Sequence, residues 1–526
     1  MSEENKMSRT IKMFETSLRD GEQASGVGAG SLGRMEKYAL AQLFDEAGFN
    51  VIEAGFPISS DGDFEAVSYV SQRVQNAEVA ALARAIEKDI ERAYEAIKSA
   101  RNPRIHTFIA VSPVHMQEKL KKSPDEVYQM AVHAVGFARR LLENKGVVEF
   151  SGEDSFRAEP EFLKKVYAGA IGAGATVINV PDTVGYAQPE EVFNLMKFLI
   201  AQTPGAERAE WSFHGHDDLG NAVASSMAAI RAGTHQIEGT INGVGERAGN
   251  TALEEVIANI RTRKDYYRSI QDTIDTRKIG YISNQVSRLL DMPVQPNKSV
   301  VGANAFAHSS GIHQDGVIKS RITYEIMKPE DWGWDYHGTQ MTITSRSGKK
   351  AIGNVLGNMG YRISDEELTA TYTLAMKLAD AKKKLAAEDL AVILEDEVRK
   401  TPEVVRLVYA NAMGGTMPER TATVQIMKDG IVIPKVALGN GPIDALYNAI
   451  NHAVDVEVEL SGFEIRAIGQ GKDVLGEVTT TIKDNGHKYI GRGVSTDIIE
   501  ASAKAYMNAL NKMIYQRING GSGKPS

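Results

Sequence analysis

From about residue 10 to 260, short apolar runs rich in β-branched residues alternate with stretches whose apolar positions recur at helical spacing. The runs predict strands at 11–16, 51–56, 78–83, 104–110, 147–152, 176–181, 209–214 and 236–242. The periodic stretches predict helices at 34–47, 63–75, 86–100, 124–142, 160–173, 189–201, 221–232 and 251–262. Several of these open on a Pro or follow a Ser or Asp, as first-turn positions favour. Eight strand–helix units over some 250 residues are the pattern of a (β/α)8 TIM barrel. A doubly wound sheet gives a similar string. The barrel is favoured because polar residues gather just past nearly every strand, where barrel active sites lie.

Downstream the pattern changes. Residues 266–290 read as helix, 297–320 as an ordered loop rich in Gly, His and Ser, and 365–394 as a charged helix. From about 400 the texture is β-rich: strands at 404–411, 421–428 and 431–438, then a helix at 442–454. A second round follows, with strands at 456–469, 474–483 and 488–492 and a helix at 496–513. The rounds align weakly through 439–444 and 491–497, each read as a Gly-rich turn before a helix, which points to an internal duplication. The expected fold class is α/β. A TIM barrel occupies 1–275 and a helical linker subdomain, expected to cover the barrel mouth, 276–398. A duplicated β-rich α+β domain occupies 399–516, and a flexible tail 517–526.

Composition narrows the function. The 526 residues carry a formal charge of -8 and no long basic run, which argues against nucleic acid. The absence of Cys excludes disulfides, thiolate metal sites and Cys nucleophiles. No apolar run approaches the roughly 20 residues of a membrane span, and the first residues carry no apolar leader. A cytoplasmic protein without membrane partners is the default expectation.

The chemistry gathers around one run, His214-Gly-His216-Asp217-Asp218, after an apolar strand. Two His at i, i+2 on an extended segment point to the same side, and one carboxylate from elsewhere completes a facial metal site. Asp20, just past the first strand, can supply it; Arg19 beside it can neutralise an oxyanion. Asn250 closes a Gly-rich loop after the eighth strand and offers one more oxygen. His106, Ser151, Glu153, Asn179 and Thr183 also fall at or just past strand ends. Each alone reads better as a polar cap of its strand; it is their joint placement at strand ends that points to a site. Outside the barrel, His313 with Gln314 and Asp315 is a candidate general base, although from spacing alone a loop whose His and Asp satisfy its own backbone is the better reading.

The runs 18–23, 150–154, 181–185, 214–218 and 308–315 resemble the family of metal-dependent condensing enzymes that holds 2-isopropylmalate, homocitrate and citramalate synthases, and its isopropylmalate-forming branch most closely. The resemblance covers nearly the whole chain. It departs at Gly152, where the family often has Cys. It implies an acyltransferase that condenses acetyl-CoA with 3-methyl-2-oxobutanoate to 2-isopropylmalate and CoA, the first committed step of leucine biosynthesis. A pyruvate-using citramalate synthase and a retro-aldol lyase on the same barrel are the alternatives. It implies that Asp20, His214, His216 and Asn250 hold a divalent cation, Mn2+ or Mg2+ with Zn2+ as a further option. Arg19 sits beside the keto oxygen, His106 and Thr183 hold the carboxylate, and Ser151 and Asn179 shape the side-chain pocket. Glu153 and His313 take the proton from the acetyl methyl, with Tyr324 near. The C-terminal domain resembles a leucine-sensing domain. The expected leucine cleft lies where Gly439, Gly441, Gly491 and Gly493 meet two helix N-termini, which suit a carboxylate. A homodimer is expected, with a tetramer as the larger assembly.

Overall fold

Eight parallel strands close on themselves in the computed structural model of the protein. Residues 8–25, 32–143, 145–334, 340–341, 343–344, 346–358, 361, 363–382, 385, 387–394, 403–413, 420–468 and 475–519 are described. The barrel strands are β1 (Lys12–Glu15), β2 (Val51–Gly55), β3 (Glu78–Arg84), β4 (Pro103–Ala110), β5 (Val147–Glu153), β6 (Val177–Asp182), β7 (Glu210–Gly215) and β8 (Gln236–Gly239). Each pairs with its neighbours in chain order, and β1 pairs with β8 to close the ring. The helices between them are α1 (Arg34–Ala47), α2 (Asp61–Ser71), α3 (Glu87–Ile97), α4 (Pro124–Leu141), α5 (Pro160–Ala173), α6 (Pro189–Gln202), α7 (Ala222–Ala232) and α8 (Leu253–Thr262). Local chemistry sets their starts. Ser123 and Glu126 form a capping box before α4, and α4, α5 and α6 carry Pro in the first turn.

Phe44, Tyr167, Trp211 and Phe213 are fully buried between strands and helices. Each such side chain contributes about 1.5–3 kcal/mol by leaving water. The barrel interior is built differently. Arg104 is fully buried there and donates to Glu149 (3.0 Å) and Gln236 (2.9 Å). Gln236 in turn donates to Glu149 and Ser212. Charged groups survive at this depth because each is paired and hydrogen-bonded.

The stretch 266–290 is not one helix: α9 spans only Ile279–Leu289. Ahead of it, Ile270–Gln271 pairs in parallel with Arg9–Thr10. Asp272 and Asp275 accept from the backbone N–H groups of Ile274 and Arg277, so side chains replace the helical bonds there. The run 297–320, expected as a loop, contains α10 (Gly311–Lys319), which carries His313. The expected helix at 365–394 is α12 (Asp365–Lys382) and α13 (Ala387–Val392), after α11 (Lys349–Asn358); residues 383, 384 and 386 lie outside the described ones. Leu385 bridges Ile343 between the two helices.

The chain divides into two compact units, Met1–Phe306 with Ile326–Thr339, and Ala307–Glu325 with Gln340–Ser526. The second contains two antiparallel three-stranded sheets, each closed by a helix. The first comprises β9 (Val405–Ala412), β10 (Arg420–Lys428) and β11 (Ile431–Gly439), then α14 (Pro442–Val454). The other comprises β12 (Glu459–Ile468), β13 (Leu475–Asp484) and β14 (His487–Ser495), then α15 (Ile498–Asn519). The first strand of each round carries a register shift, at Leu407/Tyr409 and at Leu460/Gly462, so the duplication extends to its irregularities.

The two supposed Gly-rich turns are not equivalent. Gly439 ends β11 and Gly441 caps α14, but Gly491 and Gly493 lie within β14. A Cβ on Gly491 would stand 2.1 Å from the Ala505 carbonyl oxygen, and one on Gly493 2.1 Å from that of Ala501. These glycines let the strand lie directly on the α15 backbone. Of the expected tail, 517–519 belong to α15 and 520–526 lie outside the described residues. Among the described residues, no helix is long and apolar enough to cross a membrane.

Candidate active site

After β1 the chain folds over a single acceptor: the Thr16 carbonyl receives the N–H groups of Arg19 (3.1 Å), Asp20 (2.9 Å) and Gly21 (3.2 Å). The buried Lys37 ties this turn down, donating to the carbonyls of Leu18 (3.0 Å) and Ala54 (3.1 Å) and to Asp63 (2.6 Å). Arg19 and Asp20 are thereby fixed at the C-terminal mouth of the barrel. Arg19 donates through Nε to Glu53 (2.6 Å) and through Nη1 to Asp20.

The loops after β7 and β8 meet this turn. His216 and Asn250 form an antiparallel bridge, and Asn250 Nδ2 donates to Asp20 Oδ1 (2.8 Å) and the Val244 carbonyl (3.1 Å). His214 Nε2 and His216 Nε2 stand 3.2 Å apart. Donor atoms of Asp20, His214 and His216 all lie within 4.8 Å of one another, and all three residues are buried. Burial holds both imidazoles down to about 4, which leaves them neutral at pH 7. Burial alone would raise the Asp20 carboxyl, but Arg19, the His216 and His214 side chains and the Asn250 hydrogen bond together outweigh it and keep the group well below the usual range. Two neutral imidazoles and one carboxylate are the donor set of a divalent cation. Two nitrogens at about 2.1 Å from one ion stand roughly 3.0–3.4 Å apart, which brackets the His pair. The side-chain amide oxygen of Asn250 is buried without a partner, as is His216 Nδ1. The residues present therefore fit a divalent cation.

Glu53 continues the site inward, accepting from Thr16 (2.7 Å) and bonding His106 Nδ1 (2.7 Å). His106 Nε2 bonds Ser151 Oγ (2.6 Å). Burial opposes the charge on His106, but Glu149 and Glu53 outweigh it and push the imidazole up to about 9. As an imidazolium it donates to both neighbours. Ser151 Oγ also accepts from Asn179 (2.9 Å), so its own proton is free to point into the cavity. Thr183 Oγ1 accepts from the Asp154 amide (2.9 Å), and both oxygens of Glu153 accept from Lys119 (2.7 and 2.9 Å).

These groups line a cavity of about 300 Å³, the lower end of the range for small-molecule sites. Arg19, Asp20, His106, Ser151, Glu153, Asn179, Thr183, His214 and His216 all reach it, and Asn250 supports it from behind Asp20. His313 and Tyr324 belong to the second unit, where their rings stack at 4.1 Å and His308 stands 6.0 Å from His313. Sequence reasoning missed Glu53, Glu238, Lys119 and Arg247. For Glu53 a signal existed: a lone carboxylate in the apolar run Val51-Ile-Glu-Ala-Gly55.

Residues 10–286 match the family model described as HMGL-like, residues 300–383 one described as homocitrate synthase post-HMGL domain-like, and residues 384–514 one described as LeuA allosteric (dimerisation) domain. The chain is 48% identical over 509 residues to a 2-isopropylmalate synthase of Heliobacterium modesticaldum, covering 97% of this chain and 98% of the relative. The chain belongs to the 2-isopropylmalate synthase family. A 2-isopropylmalate synthase of Pyrococcus furiosus is 47% identical, with 96% of this chain and all of the relative covered. Among solved structures, the HMG-CoA lyase of Bacillus subtilis is 18% identical with a TM-score of 0.47, over 55% of this chain and 96% of that one. The expectations of a transferase in the 2-isopropylmalate synthase family, and of a barrel followed by a β-rich allosteric-type domain, are borne out. The pyruvate-using and retro-aldol alternatives are not favoured.

Proposed function

We propose that the protein condenses acetyl-CoA with 3-methyl-2-oxobutanoate, releasing 2-isopropylmalate and CoA. The observation that carries this reading is the meeting of Asp20, His214 and His216 beside Arg19 in one cavity. Asp20, His214 and His216, with the Asn250 side-chain oxygen, would hold the cation: Mn2+ or Mg2+, with Zn2+ also suited to a His-rich set. When bound, the cation supplies Lewis-acid polarisation of the keto carbonyl.

The chain's own groups do the rest. Thr183 takes the carboxylate, with the positive charge of the His106 imidazolium holding it, while Ser151 and Asn179 bound the pocket for the branched side chain. Glu153, with His313 and Tyr324, serves the removal of a proton from the acetyl methyl. A thioester methyl is a weak acid, so the base must be close and oriented. The resulting carbanion forms the C–C bond to the keto carbon, whose oxygen takes the electron pair. Arg19, held through Nε and Nη1, presents Nη2 to that developing charge. Water then cleaves the thioester, leaving a carboxylate and the CoA thiol.

The second unit is assigned to feedback by leucine within a homodimer, with a tetramer as the larger assembly. In support, the described part of that unit holds a cavity of about 620 Å³ lined by Arg492, Gly493, Glu500 and Lys504, which offers both charge signs to an amino acid. We assign the protein to the cytoplasm. Steady-state turnover of acetyl-CoA with 3-methyl-2-oxobutanoate, pyruvate and 2-oxoglutarate in parallel tests the reading. The branched acid is expected to give the highest kcat/KM. Preference for either of the others replaces the assigned substrate.

A further inference from the structure

Two mouth residues carry no role in the reading above: Asp218, which ends the 214–218 run, and Arg247 in the Gly-rich loop after β8. Arg247 has φ +57, a left-handed conformation unusual for a residue other than Gly. Such conformations persist where the surroundings over-determine them, and they cluster at ligand clamps. The surroundings here are specific. Arg247 Nε and Nη2 donate to the two oxygens of Asp218 (2.8 and 2.9 Å), and Nη2 also donates to the Thr183 carbonyl (2.8 Å). One guanidinium thus joins the loops that follow β6, β7 and β8. The contact is close-packed: a Cβ on Gly185, which has φ +59, would lie 2.6 Å from the Asp218 nitrogen. Arg247 also lines the cavity with Asp20, His214 and Thr183.

We propose that Arg247, clamped by Asp218, is a positioning residue that sets Thr183 to receive the carboxylate of the 2-oxo acid. The inference rests on the proposed function and deepens it, because it names the device that selects for an anionic group next to the keto carbon. A fork of fixed geometry is required. Lys carries the charge but not the rigid planar fork that meets both oxygens of one carboxylate while reaching a carbonyl. A displacement of the order of 1 Å at such a contact is enough to weaken binding of the group it orients.

The test uses the full-length, Mn2+-loaded protein and the variants Arg247→Gly, Arg247→Lys, Asp218→Asn and the double Arg247→Gly/Asp218→Asn. Glycine relaxes the left-handed backbone, so Arg247→Gly removes the fork without adding strain. KM and the calorimetric Kd for 3-methyl-2-oxobutanoate are expected to rise about tenfold or more, with kcat within about threefold. KM for acetyl-CoA, the Mn2+ affinity by electron paramagnetic resonance and the thermal midpoint are expected to stay at parent values. Arg247→Lys should not rescue, and the double variant should bind no worse than Arg247→Gly alone. An unchanged Kd for the 2-oxo acid in a folded Arg247→Gly protein overturns the inference, as does a loss of Mn2+ affinity of equal size. A parent that turns over no 2-oxo acid removes the functional reading, and this inference with it. Parent turnover with unaffected variants removes the inference alone.

Discussion

His214 Nε2 and His216 Nε2 face one another at 3.2 Å across the barrel mouth, with Asp20 and Asn250 closing the group from a second side. Two neutral imidazoles so placed have their lone pairs ready for one ion. Chelation is therefore expected to abolish turnover, and Mn2+ or Mg2+ to restore it. His216→Ala should lower kcat by at least about 10²-fold and remove Mn2+ binding seen by electron paramagnetic resonance. The circular dichroism spectrum should stay that of the parent, because a mouth residue is not part of the core. Full turnover after chelation, or in the variant, would show the assignment to be wrong.

Glu53 is the hub that the other groups lean on. Its carboxylate takes Arg19 (2.6 Å), His106 (2.7 Å) and Thr16 (2.7 Å), and burial is outweighed by Arg19 and His106, which hold it down to about 2. Glu53→Gln leaves two buried cations short of a counter-charge. Breaking a buried pair in this way costs about 3–5 kcal/mol, to be read from urea unfolding. Turnover should fall as well, because Arg19 loses the partner that aims it. A variant as stable and active as the parent would remove Glu53 from the site.

The barrel was legible because its signals are local. Apolar runs mark strands, Pro160 and Pro189 mark helix starts, His214 stands at the end of a strand, and Asp20 and His216 each follow one within a few residues. The interior was not legible, because its meaning lies in distant pairs: Arg104 meets Glu149 45 positions away and Gln236 132 positions away. A charged residue in a strand says nothing by itself about the partner that neutralises it. Gly491 and Gly493 misled for another reason. Gly is the commonest signal of a turn, yet here it serves close approach of strand and helix backbones. The stretch 266–278 failed as a helix because Asp272 and Asp275 bond the local backbone, a competition that periodicity does not register.

Glu254 gives the fold a pH dependence of definite sign. Burial raises this carboxyl to about 7 against an ordinary 4.5, with Lys298 at 3.6 Å opposing the shift. Between those values the folded chain keeps a proton that the unfolded chain has released. Its contribution to stability is therefore fully present below about pH 4.5 and is lost as pH rises to about 7. Glu254→Gln removes the titration. The stability difference between parent and variant should change by on the order of 1–3 kcal/mol across that window. Urea unfolding at several pH values between the two limits measures it, and a flat difference would contradict the assignment.

The C-terminal unit allows two variants to be set against each other. A side chain at Gly493 would run into the backbone of α15, 2.1 Å from the Ala501 carbonyl and 2.6 Å from the Ala505 nitrogen. Neither atom belongs to a flexible side chain that can move aside. Gly493→Ala is thus expected to loosen the packing of β14 on α15 at a cost of about 1–3 kcal/mol, whatever the unit binds. It does not test a leucine cleft cleanly. Lys504 does: it lines the same cavity, is about half exposed, and pairs with Glu500 at 2.7 Å on its own helix. An exposed pair of this kind contributes about 0–1 kcal/mol, so Lys504→Ala should unfold close to the parent. If leucine's carboxylate sits there, the same change should weaken inhibition while leaving the uninhibited rate alone. The coupling at stake is about 1–3 kcal/mol, or roughly 5–150-fold in inhibition. Lost inhibition in both variants, with lost stability only in Gly493→Ala, places the ligand in the cavity. Inhibition unchanged in Lys504→Ala moves the leucine site elsewhere, and no inhibition of the parent leaves the unit with assembly as its role.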